Sequence, residues 1–272
     1  MSIYDLIGLQ FYPFIAAAMV LEVIWFIAAA KRDYPWREML VSLSTQVMHV
    51  PVRLLKPLVL GPIAWFFWEH RVMTIPIGTT SGLVLLLLAD ELAYYWAHRA
   101  GHNVRWLWAS HMVHHTPDTM YFPTALRTGI TETLSGDWLF RLPLYLVGFN
   151  PLAVAATEAI NLFYQFWIHT DLIGRLGPLE WVFNTPSHHR VHHASNAELL
   201  DHNYGGILIV WDRLFGTFLR EQPSTSMSYG LVNPIGSLNP IKVVFYEWGA
   251  MVRDVRRARS SRECVRLLFG RP

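Results

Sequence analysis

"IPIGTTSGLVLLLLADELAYYWAHR" (Ile75–Arg99) decides the fold. The stretch opens on turn residues, runs through an apolar block, and ends in two tyrosines and a tryptophan just before His98. About 20 apolar residues span the hydrocarbon core of a bilayer. Tyrosine and tryptophan gather where a membrane helix reaches the headgroups. The stretch therefore reads as a membrane helix, over about residues 75–97, that delivers a histidine to the interface.

Three further apolar zones flank it. "FYPFIAAAMVLEVIWFIAAA" (Phe11–Ala30) is long enough to cross, and its one charge, Glu22, must be met by facing other helices. It stops at the basic and aromatic "KRDYPWR" (Lys31–Arg37). The zone 39–68 is interrupted by Pro51, Lys56 and Pro62, so it is either one kinked span or a span plus an interfacial piece. The zone 138–168 is divided by Asn150–Pro151 into halves too short to cross easily, which fits a hairpin as well as a broken span.

Composition agrees with a membrane protein. The 272 residues are 53% hydrophobic and only 15% charged, against about 25% charged in soluble domains. A net charge of +2 gives no case for nucleic acid. The single cysteine, Cys264, excludes an internal disulfide, a CxxCH haem attachment and an all-cysteine iron–sulfur site. No basic n-region or A-x-A site marks a cleavable signal peptide. Placing Lys31–Arg37 in the cytoplasm by the positive-inside rule brings both His98 and His169 to that same face. The expectation is an all-α integral membrane protein, a single domain over 1–272 with about four membrane segments. A cytoplasmic histidine-rich cap (98–133 and 169–220) and a basic C-terminal tail (241–272) complete it. The tail reads equally as a solvated basic helix or a lipid-surface anchor.

Thirteen histidines are distributed unevenly. "HRAGH" holds His98 and His102, "HMVHH" holds His111, His114 and His115, and "HRVHH" holds His189, His192 and His193. On a helix an HxxHH triplet covers an arc of roughly 100°, so each triplet is expected to aim three imidazoles at one point. Eight nitrogen ligands, with His169 as a ninth, exceed the about four that one tetrahedral metal takes and point to two metals. Imidazole suits iron, zinc, copper and nickel alike. HExxH is absent, as is a Glu-x-x-His pair, which disfavours a zincin protease and a ferritin-like carboxylate site. His49 and His70 read as structural or interfacial, and His202 lies outside the triplet arc. His188, one position behind the second triplet, is either a ligand or a partner that orients one. Glu91, seven residues before His98, is either such an orienting acceptor or an interfacial carboxylate. Arg127 suits a lipid phosphate or a site carboxylate as well as a plain salt bridge.

The order HxxxH, HxxHH, lone histidine, HxxHH resembles the membrane fatty acid hydroxylase/sterol desaturase superfamily. The matching segments are "YYWAHRAGH" (94–102), "WASHMVHHT" (108–116), "TALR" (124–127), "NLFYQFWIHTDLIGRLGPLEWVFNTPSHHRVHH" (161–193) and "DHNYGGILIVWDRLFGTF" (201–218). Its ether-lipid-cleaving branch is the most similar. The resemblance implies a dinuclear centre active as iron, O₂ as co-substrate, a membrane lipid substrate, and an external electron donor, either tetrahydropterin or a redox protein. It implies metal-ligand roles for His98, His102, His111, His114, His115, His169, His189, His192 and His193. Asp201, Asn203 and Tyr204 match the motif that follows the last triplet, with Asp201 expected to orient an imidazole. Asn103 and "TPDTMYF" (116–122) depart from the ether-lipid branch, which leaves acyl-chain and head-group hydroxylation as equal candidates. Zinc can replace iron in such a site. Hydroxylation, desaturation and ether cleavage share these ligands. A transporter would place ionisable ligands near the bilayer midplane, whereas these cluster outside the apolar runs.

Overall fold

A computed structural model describes residues 3–222 and 224–272. Among these residues regular structure is helical, and β pairing is confined to two isolated bridges, Phe183 with Leu208 and Ala194 with Tyr229. The helices in chain order are α1 (Ile3–Ile24), α2 (Trp36–Glu69), α3 (Thr80–Asn103), α4 (Arg105–His111), α5 (Glu132–Ser135), α6 (Leu142–Val147), α7 (Pro151–Ile168), α8 (Pro186–His193), α9 (Val210–Phe215), α10 (Pro240–Arg257) and α11 (Ser261–Phe269).

Two of these helices are long and apolar enough to cross a membrane: the stretch Phe11–Ala29, in which α1 runs on through a π-helical turn, and α2. Only 11% and 6% of their apolar windows are buried within the protein. A soluble core helix has the opposite character, because its apolar face is covered by its own chain. α2 is a single helix of 34 residues, ~51 Å long at 1.5 Å per residue. Pro51, Pro57 and Pro62 all lie inside it. Of the two arrangements expected of this zone, the single span is the one observed. In an apolar surrounding no water offers itself to freed backbone groups, so the helix remains the best available arrangement.

α3 starts where Thr79 Oγ1 accepts from Gly82 N at 3.1 Å, a standard cap for the first free N–H groups. It packs through Leu86 and Ala93 against Leu144, Phe149 and Val154. The zone 138–168 does divide, at Gly148–Asn150. Gly148 has φ +129°, and a Cβ there would run into the Met73 carbonyl. Asn150 Oδ1 then caps α7 by accepting from Leu152 N at 2.9 Å.

Glu22 lies on α1 and is 1% exposed. Its carboxylate accepts from Phe122 N at 3.0 and 2.9 Å and from Thr170 Oγ1 at 3.1 Å. The carboxyl group is thus met inside the protein, as its position in an apolar run demanded, and it ties α1 to the two segments that flank the histidines. Glu22→Ala leaves a buried N–H and a hydroxyl without partners, which costs about 1–3 kcal/mol per group. The thermal midpoint of the purified protein should fall by several degrees. An unchanged midpoint would show that this tether carries no stability.

Candidate metal centre

Four helices end at one place. α3 finishes with His98 and His102 one turn apart, and α4 finishes on His111. A tight turn follows α4, with His114 N donating to His111 O at 3.0 Å and His115 N to Met112 O at 3.0 Å. His169 caps the C-terminus of α7. α8 opens on Pro186, which suits a first helical position, and all eight of its residues are buried.

The nine histidines fall into two groups, within each of which the ligand atoms lie inside 4.8 Å of one another. One holds His98, His102, His111, His115 and His192; the other holds His114, His169, His189 and His193. The rings of His115 and His193 stack at 4.4 Å, so the groups adjoin. This corrects the expectation that each triplet aims at one point. The helix stops at His111, and the turn after it sends His114 to the second group while His115 stays with His111. In α8, His189 and His193 share a face at a spacing of four, and His192 points about 100° away from His193.

The protonation of several rings follows from their partners. His98 Nδ1 lies 2.8 Å from Tyr204 O, His114 Nδ1 3.2 Å from Arg127 O, His169 Nδ1 2.6 Å from Gln165 O, and His192 Nδ1 2.9 Å from His202 O. A carbonyl only accepts, so each Nδ1 carries the proton and a neutral ring keeps its lone pair on Nε2. Yet His114 Nε2 and His169 Nε2 sit 3.0 Å apart. Two facing lone pairs repel unless a cation lies between them. In the other group the buried Nε2 atoms of His102 and His192 have no hydrogen-bond partner. Burial holds the rings neutral: it pushes His114 down to about 4 and His169, His189 and His193 well below the usual imidazole value. A buried, neutral, convergent nitrogen set with unpartnered lone pairs fits divalent metal.

Residues 83–217 match the family described as fatty acid hydroxylase. The chain belongs to this family. It is 38% identical to human alkylglycerol monooxygenase over 237 residues, covering 86% of this chain and 52% of the human protein. The zebrafish alkylglycerol monooxygenase is likewise 38% identical, over 87% of this chain and 52% of its own length. Ornithine lipid hydroxylase OlsE of Rhizobium tropici is 34% identical over 56% of this chain and 46% of its own. The chain thus spans about half the length of the curated relatives it matches. No solved structure is a significant match. All nine grouped histidines lie inside the family match.

Other sequence candidates fall differently. Tyr204 belongs to the site: its carbonyl orients His98, and its ring packs against His98, His102 and His192. His188 is fully buried but stands outside both groups, facing Glu180 at 4.0 Å and Phe218. Asp201 is 4.0 Å from His102 Nδ1 with a largely exposed side chain, too far for the hydrogen bond expected of it. Asn203, at φ +58°, shapes the loop: its amide donates to His188 O and Leu219 O and accepts from Leu219 N. Glu91 reaches no imidazole. It accepts from Ile207 N and Leu208 N, both at 2.8 Å, and from the Asn161 amide. Arg127 is 1% exposed and paired with Glu38 at 2.7 Å, so its guanidinium is closed to a lipid phosphate. Its backbone carbonyl is what serves the site. His49 and His70 lie outside both groups, bonded to Thr128 Oγ1 and Phe66 O.

Sequence reasoning missed Asp212, which accepts from Tyr204 N, Gly205 N and Thr217 Oγ1 at 2.7–2.8 Å and so sets the loop that carries the Tyr204 carbonyl. It missed the four orienting carbonyls altogether.

Histidines whose folded value lies below 6.5 bind protons more readily when the chain unfolds. Their contribution to stability is therefore complete above the unfolded value and is lost as pH falls toward the folded one. The thermal midpoint of metal-stripped protein should drop continuously from about pH 7 to about pH 5. A flat profile over that window would contradict the burial argument.

Proposed function

We propose that this chain is an O₂-dependent di-iron lipid monooxygenase of the integral membrane type, which hydroxylates a C–H bond of a membrane lipid near its headgroup. The observation that carries the reading is the partition of nine imidazoles, six of them buried and three half-buried, into two adjoining groups at the ends of α3, α4, α7 and α8. Relatives named alkylglycerol monooxygenase and ornithine lipid hydroxylase support a lipid substrate. The oxidised carbon then belongs to an acyl chain, a head group or an alkyl ether.

In this reading His98, His102, His111, His115 and His192 hold one metal, and His114, His169, His189 and His193 hold the other. Two iron ions would supply the activation of O₂, with electrons from an external donor such as tetrahydropterin or a redox protein. The chain's own task is placement. The carbonyls of Tyr204, Arg127, Gln165 and His202 fix ring orientation and tautomer. Trp108 walls the first group, its ring 5.3 Å from His102 and 5.7 Å from His115. Burial of both groups keeps bulk water from the reacting carbon.

The membrane segments lie over about 11–30, 39–68, 75–97 and 138–168 of a single domain, and the cap faces the cytoplasm. His98 and His169 each follow an apolar run directly, which sets the metals at the interface. A lipid entering from the side presents its glycerol, ether or first acyl carbons at that depth. Oxygen added beside an ether oxygen gives a hemiacetal whose C–O bond breaks to leave an aldehyde and the freed glycerol alcohol, whereas oxygen added beside a carbonyl persists as a hydroxyl group.

Protein purified anaerobically and loaded with iron should contain two metal ions per chain by mass spectrometry. His115→Ala and His193→Ala should each lower that content, and His49→Ala should not. A content near one after full loading rules out the dinuclear reading. Lipids from cells with and without the protein, grown under ¹⁸O₂, should differ by a product carrying one labelled oxygen. A new double bond without label would instead make the chain a desaturase using the same site.

A further inference from the structure

The C-terminal helices carry an exposed face that the lipid-oxidation reading does not use. From Pro240 onward the chain has eight basic residues and three acids, a surplus of five where the whole chain has only +2. All eight basic side chains are exposed. The three acids are engaged within the protein. Glu247 and Asp254 both bind Arg105 of α4, at 2.6 and 2.7 Å, and Glu263 accepts from Arg259 N at 2.7 Å. The outer surface is therefore left with unopposed positive charge.

The exposed apolar residues of the two helices, which are in contact, recur with equal regularity. Ile241, Phe245 and Val252 recur on one side of α10 at spacings of four and seven, and Val265 and Phe269 are four apart on α11. Each is exposed by 45% or more. The opposite face of α10 is fully occupied: Val243 and Val244 pack with Val113 and with Met48 of α2. α10 thus runs along the flank of a helix long enough to cross the membrane, with a second apolar stripe, edged by Arg253, Arg256 and Arg257, turned outward. Helices of this make-up lie in the interface, with apolar side chains among the acyl boundaries and cations at anionic headgroups.

We propose that α10 and α11 together form a docking surface for an anionic bilayer, in which Val265 and its neighbours enter the headgroup region and the exposed arginines bind lipid phosphate. Arg105 opens the helix that ends on His111, so docking braces that helix from the membrane side.

The test uses the full chain in nanodiscs. The sole cysteine is removed as Cys264→Ser and an environment-sensitive fluorophore is attached at Val265→Cys. Discs are made of phosphatidylcholine with or without phosphatidylglycerol, and doxyl lipids serve as depth-resolved quenchers. Shallow doxyl lipid should quench the label roughly twofold more strongly in the anionic discs, and ~1 M salt should remove the difference by shortening the screening length. Changing Arg253, Arg256, Arg257, Arg262 and Arg266 together to Gln should lower quenching in anionic discs to the neutral level, with helicity and metal content unchanged. A label that stays in water in both lipids overturns the proposal. So does quenching that ignores the five substitutions. Shielding that appears in detergent and rises with protein concentration would assign the face to a second copy of the chain and equally overturn it.

Discussion

Lone pairs that face one another inside a protein are costly, and the histidine cluster contains one such pair. His114 and His169 each commit a proton to a backbone carbonyl, so their Nε2 atoms meet at 3.0 Å with no hydrogen between them. His189 Nε2 stands 2.8 Å from His169 and 3.1 Å from His193. Protonating the rings would relieve one repulsion and create another, because cationic rings at these distances repel more strongly in a buried place. A divalent cation relieves the first without creating the second. The surrounding structure must therefore hold the rings in place against their own repulsion.

That restraint comes from the loop between α8 and α9. Asp212 receives Tyr204 N, Gly205 N and Thr217 Oγ1, and Glu91 receives Ile207 N and Leu208 N from α3. Asn161 links Glu91 to Gln165, whose side chain accepts from Tyr94. Gln165 also offers its carbonyl to His169. One buried network thus joins α3, α7 and the loop to two of the ring-orienting carbonyls. Fully satisfied networks of this kind specify a single arrangement, and each bond in low dielectric is stronger than its counterpart in water. Gly206 allows the closest approach, since a Cβ there would meet the Asn161 amide.

Much of this was legible in the sequence, and the parts that were not share a cause. Apolar runs announced α1, α2 and α3, because length and hydropathy are properties of a segment by itself. Asn150–Pro151 announced the break before α7 for the same reason. The histidine spacings named eight members of the cluster, and the lone His169 after an aromatic run was the ninth. They did not give the partition into five and four, which depends on α4 stopping at His111. They also led to carboxylates as the orienting groups. Asp201 and Glu91 have the right chemistry and neighbourhood, but the acceptors are backbone carbonyls, which every residue has and no motif displays. Arg127 shows the same limit: its side chain drew attention, and its carbonyl does the work. The prolines of α2 left a single span and a span plus an interfacial piece both open, and the continuous helix decides for the former.

Helix direction explains why the carbonyls suffice. His98 and His102 sit in the last turns of α3, His111 ends α4, His169 caps α7, and His189, His192 and His193 lie in the last five residues of α8. Each helix presents its C-terminus, where the last carbonyls lack intrahelical partners and the summed peptide dipoles leave partial negative charge. A cation near one such end gains typically 0.3–1 kcal/mol, and up to ~2 kcal/mol where partly buried. Four ends in one place add a favourable field that needs no buried carboxylate. An all-imidazole set remains neutral, so two dications bound there, as proposed, would have only their own repulsion and these four dipoles to balance. One orienting carbonyl belongs to these ends, that of Gln165 in the last turn of α7, and those of Tyr204, Arg127 and His202 lie in the connecting segments. Ring orientation, tautomer and electrostatic compensation thus have one source in the backbone, and the side chains of the site are free to be histidine throughout.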